Sequence, residues 1–248
     1  MPHSHSAAGR HATRLAASLG LGVLILVVEL VAGIAANSLA LLADAGHMFA
    51  DVSGVALSLA AVWVAARPPT MRRSFGLYRL EIVAAAANAV LLLAITILVA
   101  VEAVERLRHP PVVEPSIVIA VALVALAANL VSLRLLSEGR HESLTVRGAY
   151  LEVAGDLLGA TAVLVSGIVV AAFGWSQADA VASLVVAALI VPRTLSLLRE
   201  SIDVLLEATP KGVDLDEVRA HILRARGVGD VHDLHAWTIT SGMNVVSA

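Results

Sequence analysis

Six long apolar segments constrain what this chain can fold into. Each is close to the ~20 residues that a helix needs to cross the hydrocarbon core of a bilayer. The chain is 58% hydrophobic and only 15% charged, whereas soluble domains carry about 25% charged residues. We therefore expect an all-α six-helix transmembrane domain, with spans at residues 15–36, 39–65, 80–104, 115–136, 146–173 and 178–198.

The expected domain organisation has three parts. Residues 1–14 form a cytoplasmic N-terminal tail, residues 15–200 the transmembrane domain, and residues 201–248 part of a cytoplasmic domain. The first span lacks a convincing signal-peptide cleavage site and is long enough to remain in the membrane. The chain has no cysteine, which excludes disulfides and thiolate metal sites. Its net charge of −3 gives no indication of a nucleic-acid partner.

The distribution of arginine predicts how the spans are oriented. The links after the second and fourth spans carry several arginines, whereas the links after the first and fifth carry none. Basic loops stay in the cytoplasm, so we expect a multi-pass protein of the cell's inner membrane with both termini cytoplasmic. The basic residues that support this orientation are Arg10, Arg14, Arg67, Arg72, Arg73, Arg79, Arg134, Arg140 and Arg147.

Two of the spans carry a pair of metal-ligand side chains at helical spacing. His47 and Asp51 are four residues apart, and so are Glu152 and Asp156, which places each pair on one face of its helix. The second and fifth spans run in opposite directions. Placed side by side, they bring His47 level with Asp156 and Asp51 level with Glu152. One imidazole and three carboxylates suit a divalent cation such as zinc.

The cost of burying these groups also indicates an ion. An ionised group at the centre of the bilayer costs at least ~2.5–3.5 kcal/mol on insertion scales. A single intramembrane histidine or aspartate could equally hydrogen-bond a neighbouring helix. Four such groups, with no basic partner expected at that depth, would repel one another without a cation or protons. Gly46 and Gly155 adjoin the pairs and would allow the helices to approach closely.

The other polar residues in the spans have less specific interpretations. Asp44 lies nearer the outer end and off the stripe of the site, so an entrance or capping role fits it as well as ligation. Glu29 and Asn88 are expected to hydrogen-bond between helices. Glu81 is expected to pair with Arg79 or with another loop arginine near the cytoplasmic surface.

Several stretches of the chain resemble one family of membrane transporters. They are SLALLADAGHMFADV, SFGLYRLEIVAAAANA, LEVAGDLLGA and VDLDEVRAHILRARGVGDVHDLHAWTITSG. In these stretches the chain is similar to the cation diffusion facilitators, which are proton-coupled exporters of zinc and related divalent metals. The resemblance implies a six-helix transporter that works as a homodimer, carries a cytoplasmic ferredoxin-like domain and is not an enzyme.

The resemblance also implies a set of metal ligands. The zinc branch of the family carries an H-x-x-x-D pair on each of helices 2 and 5. This chain matches at His47, Asp51 and Asp156, but it has Glu152 where a histidine is usual. A carboxylate in place of an imidazole makes the site harder and favours cobalt, iron or manganese. Zinc remains the first expectation, because the rest of the chain resembles the zinc, cobalt and cadmium branch.

The C-terminal residues predict the start of an α+β domain. We expect a strand at residues 204–207, a helix near 214–226 with Asp214 as its N-cap, and strands near 231–240 and 243–246. Asp214 is followed three residues later by Glu217, which is typical of a capping box. A ferredoxin-like domain needs a further helix and strand, so we expect a truncated domain. His232 resembles a position that binds regulatory metal in some family members.

The ligand set predicts a mechanism of exchange. With His47 neutral and the carboxylates ionised, the site attracts a divalent metal from the cytoplasm; after outward opening, protons compete for the same lone pairs. A histidine, with an ordinary pKa near ~6.5, is the natural competitor. No cofactor is needed besides the transported metal. The H-E-x-x-H motif of a metalloprotease is absent from the sequence, and a metal-gated channel or sensor without proton exchange remains the alternative.

Overall fold

The structure, a computed structural model, describes residues 12–65, 67–68, 70–138, 144–240 and 242–248. Most of the predicted N-terminal tail lies outside these residues. Within them the chain forms seven helices and one two-stranded sheet. The elements are α1 (Ala12–Ala36), α2 (Leu39–Ala65), α3 (Leu80–Arg108), α4 (Pro115–Ser137), α5 (Leu144–Phe173), α6 (Gln177–Leu205), α7 (Leu215–Leu223), β1 (His235–Thr240) and β2 (Met243–Ser247).

Helices α1 to α6 are long and apolar enough to cross a membrane, which confirms the six predicted spans. Two of them continue past their predicted ends, α3 to Arg108 and α6 to Leu205. The predicted ends followed the fall in hydropathy. The residues beyond those ends are rich in Glu, Arg and Leu, which are strong helix formers, so each helix continues where its surface becomes polar.

Helix ends coincide with residues that suit a change of backbone direction. Asn37, between α1 and α2, has φ of 52°, a left-handed conformation that asparagine tolerates better than most residues. Gly174 follows the last residue of α5 with φ of 65°, the usual place for glycine after a helix. Pro115 is the first residue of α4, where its missing N–H costs no helical hydrogen bond.

The described chain divides into two compact units. The first contains the described residues up to Val52 together with Leu91–Arg193. It therefore includes α1, α4 and α5 and parts of α2, α3 and α6. Helix α4 packs against α1 and α5, and the buried cluster there includes Ala32 and Ala36 of α1 and Ala122 of α4. Small side chains of this kind allow membrane helices to approach closely.

In the same unit, a carboxylate from α6 caps the start of α2. Asp179 accepts hydrogen bonds from the Ser38 hydroxyl at 2.5 Å and from the Leu39 backbone N–H at 2.6 Å. It thereby satisfies donors that have no partner within the helix, and its negative charge suits a helix N-terminus. The contact fixes α2 against α6 two turns before His47.

The second unit contains Ser53–Val90 and Thr194–Ala248. In it, the later part of α2 lies close to the early part of α3: a Cβ added at Gly54 would come within 2.7 Å of the Asn88 side-chain nitrogen. The side-chain oxygen of Asn88 has no hydrogen-bond partner among the described residues. A larger residue at position 54 would therefore need the Asn88 side chain to move.

The predicted first strand of the C-terminal segment is wrong. Val204 and Leu205 are the last residues of α6, and Glu207 in the turn that follows has φ of 57°. An apolar run this short does not distinguish a strand from the end of a helix. Because the preceding residues are helical, the run continues the helix.

The rest of the C-terminal segment follows the prediction. Asp214 accepts hydrogen bonds from the backbone N–H groups of Asp216 and Glu217 at 2.9 and 3.4 Å, which confirms it as the N-cap of α7. Strands β1 and β2 pair antiparallel, with Trp237 opposite Val245. Together they form a small α+β segment of one helix and one hairpin.

Polar contacts connect this segment to the start of α3 within the second unit. The Thr240 hydroxyl donates a hydrogen bond to Glu81. Arg79, one of the arginines considered as a partner for Glu81, makes an ion pair with Glu207, with Nη2 2.5 Å from Oε1. His232 is exposed and lies 3.2 Å from the Asp233 carboxylate.

Candidate metal centre

Three of the four predicted ligands meet in the first unit. The Nε2 atom of His47 lies 3.6 Å from Oδ2 of Asp51, one turn along α2, and 3.5 Å from Oδ1 of Asp156 on α5. One ligand atom from each residue lies within 4.8 Å of the other two. The structure therefore brings together one neutral nitrogen donor and two carboxylates from two helices.

The spacing of these atoms suits a small tetrahedral ion. Zinc bonds to nitrogen and oxygen ligands at about 2.0–2.2 Å, so neighbouring ligand atoms around it are about 3.3–3.6 Å apart. The two distances measured from His47 Nε2, 3.5 and 3.6 Å, match that separation. An ion between the three side chains would need little rearrangement of them.

The hydrogen bonding of these atoms is also incomplete. Oδ1 of Asp156 and Nδ1 of His47 are buried and have no hydrogen-bond partner among the described residues. Only 12% of the His47 side-chain surface and 10% of that of Asp156 are exposed. A buried polar atom without a partner is costly, and two carboxylates facing one imidazole nitrogen repel its lone pair. A cation or a proton bound between Nε2 and the carboxylates removes the repulsion and gives Oδ1 of Asp156 a partner.

Glu152, the fourth predicted ligand, has a different partner. Its carboxylate lies within hydrogen-bonding reach of Asp51, but its Oε2 atom makes an ion pair with Nη2 of Arg193 at 2.7 Å. The expectation that no basic residue lies at this depth is therefore wrong. Arg193 stands in an apolar part of α6, directly after Pro192, and a lone arginine in a membrane span is the signal that could have identified it.

Glycines position the two helices that carry the ligands. A Cβ at Gly46 would come within 2.8 Å of Ile95, so α2 and α3 are in close contact there. A Cβ at Gly155 would meet nothing within 4 Å in the described structure, whereas one at Gly159 would lie 2.9 Å from Oδ1 of Asp44. The expected close approach on α5 therefore occurs one turn later than predicted.

Asp44 is close to the site but is not one of the three clustered ligands. It is 3% exposed and lies within hydrogen-bonding reach of Glu29 on α1, which is 1% exposed. The second carboxylate oxygen of Glu29 has no hydrogen-bond partner among the described residues. Glu29 thus contacts a neighbouring helix, as expected, and its partner there is a second acid.

Comparison with known proteins agrees with this architecture. The family model described as the cation efflux transmembrane domain matches residues 15–206. The metal cation efflux system protein CzcD of Cupriavidus metallidurans is 44% identical over 240 residues, which cover 97% of this chain and 76% of that protein. The zinc transporter ZitB of Escherichia coli is 40% identical over 247 residues, covering 96% and 79% respectively.

A third relative has a more specific name. The cadmium, cobalt and zinc/H(+)-K(+) antiporter of Bacillus subtilis is 35% identical over 224 residues, which cover 90% of this chain and 72% of that protein. The similarity to all three proteins includes both helices of the candidate metal centre. The chain therefore belongs to the cation efflux family of multi-pass membrane transporters, the cation diffusion facilitators.

Proposed function

We propose that this protein exports divalent metal cations from the cytoplasm in exchange for protons, with zinc as the preferred ion. The observation that carries the proposal is the position of His47 Nε2, 3.5 and 3.6 Å from two carboxylates at membrane depth. The named activities of the relatives, metal cation efflux and zinc transport, support the same direction. Cobalt, cadmium, iron and manganese are the other candidate ions.

Each residue of the site has a role in this cycle. His47, Asp51 and Asp156 bind the metal, and the Glu152 carboxylate lies beside them in an ion pair with Arg193. When the site opens outward, protons compete with the metal for the same lone pairs. The metal leaves to the outside and protons bind in its place, so the protein carries metal outward and protons inward. The arginine distribution supports membrane insertion with both termini in the cytoplasm. In that orientation the cycle moves metal out of the cytoplasm.

The neutral imidazole gives the site its preference among metals. Nitrogen ligands suit zinc, copper, iron and nickel, whereas sites built only of oxygen suit magnesium, calcium and manganese. With one nitrogen and two carboxylates, this site should discriminate against magnesium, which is abundant in cells. Discrimination among zinc, cobalt and cadmium should be weaker, because the same donors suit all three.

Metal uptake into inverted membrane vesicles tests the proposal. An acid-inside gradient should accelerate zinc uptake, and collapse of the gradient should slow it. Asp51→Ala should abolish uptake while the protein remains in the membrane. Potassium-loaded vesicles at equal pH separate a potassium-driven exchange from a proton-driven one. Uptake that is unaffected by either gradient would indicate a metal-gated channel. The homodimer implied by the family resemblance can be checked on the same preparation by cross-linking.

A further inference from the structure

Arg193 is a cationic side chain next to the candidate centre, and it is paired with Glu152. Its guanidinium lies 2.7 Å from Glu152, and the side chains are 56% and 31% exposed in the isolated chain. Both residues belong to helices long and apolar enough to cross the membrane. A lone charge in such a helix is costly, whereas a paired one is tolerated. Arg193 and Glu152 are therefore expected to stay paired unless another charged group takes the place of one of them.

The charges of the three clustered ligands and of the ion pair beside them can be summed; Asp44 and Glu29 lie next to the site as a separate pair of acids. His47 is neutral as a metal ligand, and Asp51 and Asp156 contribute two negative charges. Glu152 would add a third, but Arg193 offsets it through their ion pair. With a divalent ion bound, the donors and the ion pair together carry no net charge. Moving a neutral assembly through a low-dielectric region costs far less than moving a charged one.

We infer that Arg193 sets the affinity of the centre for its metal: its ion pair with Glu152 holds the three ligands and the pair together at two negative charges, matched to a divalent ion. This inference rests on the proposed metal-binding function. In this arrangement Glu152 stays on Arg193 when the metal binds, and His47, Asp51 and Asp156 are the protein ligands. The ion pair then sets the electrostatic strength of the site without touching the ion.

The two members of the pair therefore have opposite effects when they are removed singly. Arg193→Gln leaves three negative charges, so zinc binds more tightly and is released more slowly. Glu152→Gln leaves the positive charge of Arg193 beside the ligands, so zinc binds more weakly. Removing both restores the original sum. A change of one full charge close to a partly buried site corresponds to about tenfold in affinity.

The experiment is a double-mutant cycle on zinc affinity. The full chain is purified in detergent, and zinc is titrated in competition with a fluorescent chelator. The expected result is about tenfold tighter binding for Arg193→Gln, about tenfold weaker binding for Glu152→Gln, and an affinity within about threefold of wild type for the double variant. Arg193→Lys keeps the charge and should bind as wild type does. Arg193→Met is a second charge-removing variant, to be used if Arg193→Gln does not purify as a folded protein.

Two other results would each overturn the inference. Equal losses in Glu152→Gln and in the double variant, with no effect of Arg193→Gln, would make Glu152 an independent metal ligand. Equal affinities in all four proteins would make the ion pair irrelevant to the metal. An Asp51→Ala control distinguishes these two results from a failure of the proposed metal-binding function. If Asp51→Ala binds zinc as wild type does, the ion is not held at this centre.

Discussion

A methyl group added at Gly159 should separate the helices that carry the metal ligands. The new Cβ would lie 2.9 Å from Oδ1 of Asp44, whereas ordinary contact begins at 3.4 Å. One of the two groups must therefore retreat by about 0.5 Å, which is the tolerance within which a functional site must be held. Asp44 is 3% exposed, so it has little free space to move into. The displacement should reach His47, one turn further along α2.

Gly155, one turn earlier on α5, provides a matched control. A Cβ there meets nothing within 4 Å in the described structure. Replacing a helical glycine by alanine stabilises a helix by about 0.5–1 kcal/mol, and overpacking typically costs about 1–3 kcal/mol. Gly155→Ala should therefore be neutral or slightly stabilising, and Gly159→Ala should be destabilising by up to about 2 kcal/mol.

Thermal unfolding and zinc affinity of the two purified variants measure these effects. Gly159→Ala should unfold at a lower temperature and bind zinc about tenfold more weakly, because the distance between His47 and Asp156 increases. Gly155→Ala should bind zinc as wild type does. Equal affinity and equal unfolding temperature in the two variants would show that the contact between Asp44 and Gly159 does not position the site.

Three further predictions concern two of the ligands and the neighbouring Glu152. Asp51→Ala should abolish zinc uptake into vesicles while leaving the amount of inserted protein unchanged; uptake at the wild-type rate would remove Asp51 from the site. His47→Asp should still bind metal but prefer harder ions, and it should release fewer protons per metal bound at pH 6. Calorimetry in buffers of different ionisation enthalpy counts those protons, and equal counts for the variant and the wild type would exclude His47 from the coupling of metal binding to proton release. Glu152→His alone should weaken zinc binding because Arg193 loses its partner, whereas Glu152→His combined with Arg193→Gln should favour zinc over manganese. Competition between zinc and manganese measures this preference, and an unchanged ratio of the two affinities would show that Glu152 has no influence on the ion.

The transmembrane helices could be predicted because membrane spans are set by length and hydropathy alone. The meeting of His47 and Asp156 could also be predicted. Residues four apart share a helix face, and the number of spans between α2 and α5 requires these helices to run in opposite directions. Each of these steps depends only on local spacing and on the thickness of the bilayer.

Other features depend on how helices pack, which spacing does not determine. Arg193 reaches Glu152 because α6 lies beside α5. The hydropathy of the helices does not determine their order around the site. Gly155 and Gly159 are equivalent in the sequence, and only the packed structure shows which one faces Asp44. The strand predicted at residues 204–207 failed because a short apolar run suits both a strand and a helix end.

The position of the bound ion shows most directly whether His47, Asp51 and Asp156 hold the metal. Crystals or vitrified particles of the zinc-loaded full chain would locate it, with anomalous scattering at the zinc edge identifying the element in a crystal. We expect one zinc ion about 2.0–2.2 Å from His47 Nε2 and from a carboxylate oxygen of each of Asp51 and Asp156, with Glu152 still in its ion pair with Arg193. Zinc bound elsewhere on the chain, with none between these three side chains, would contradict it.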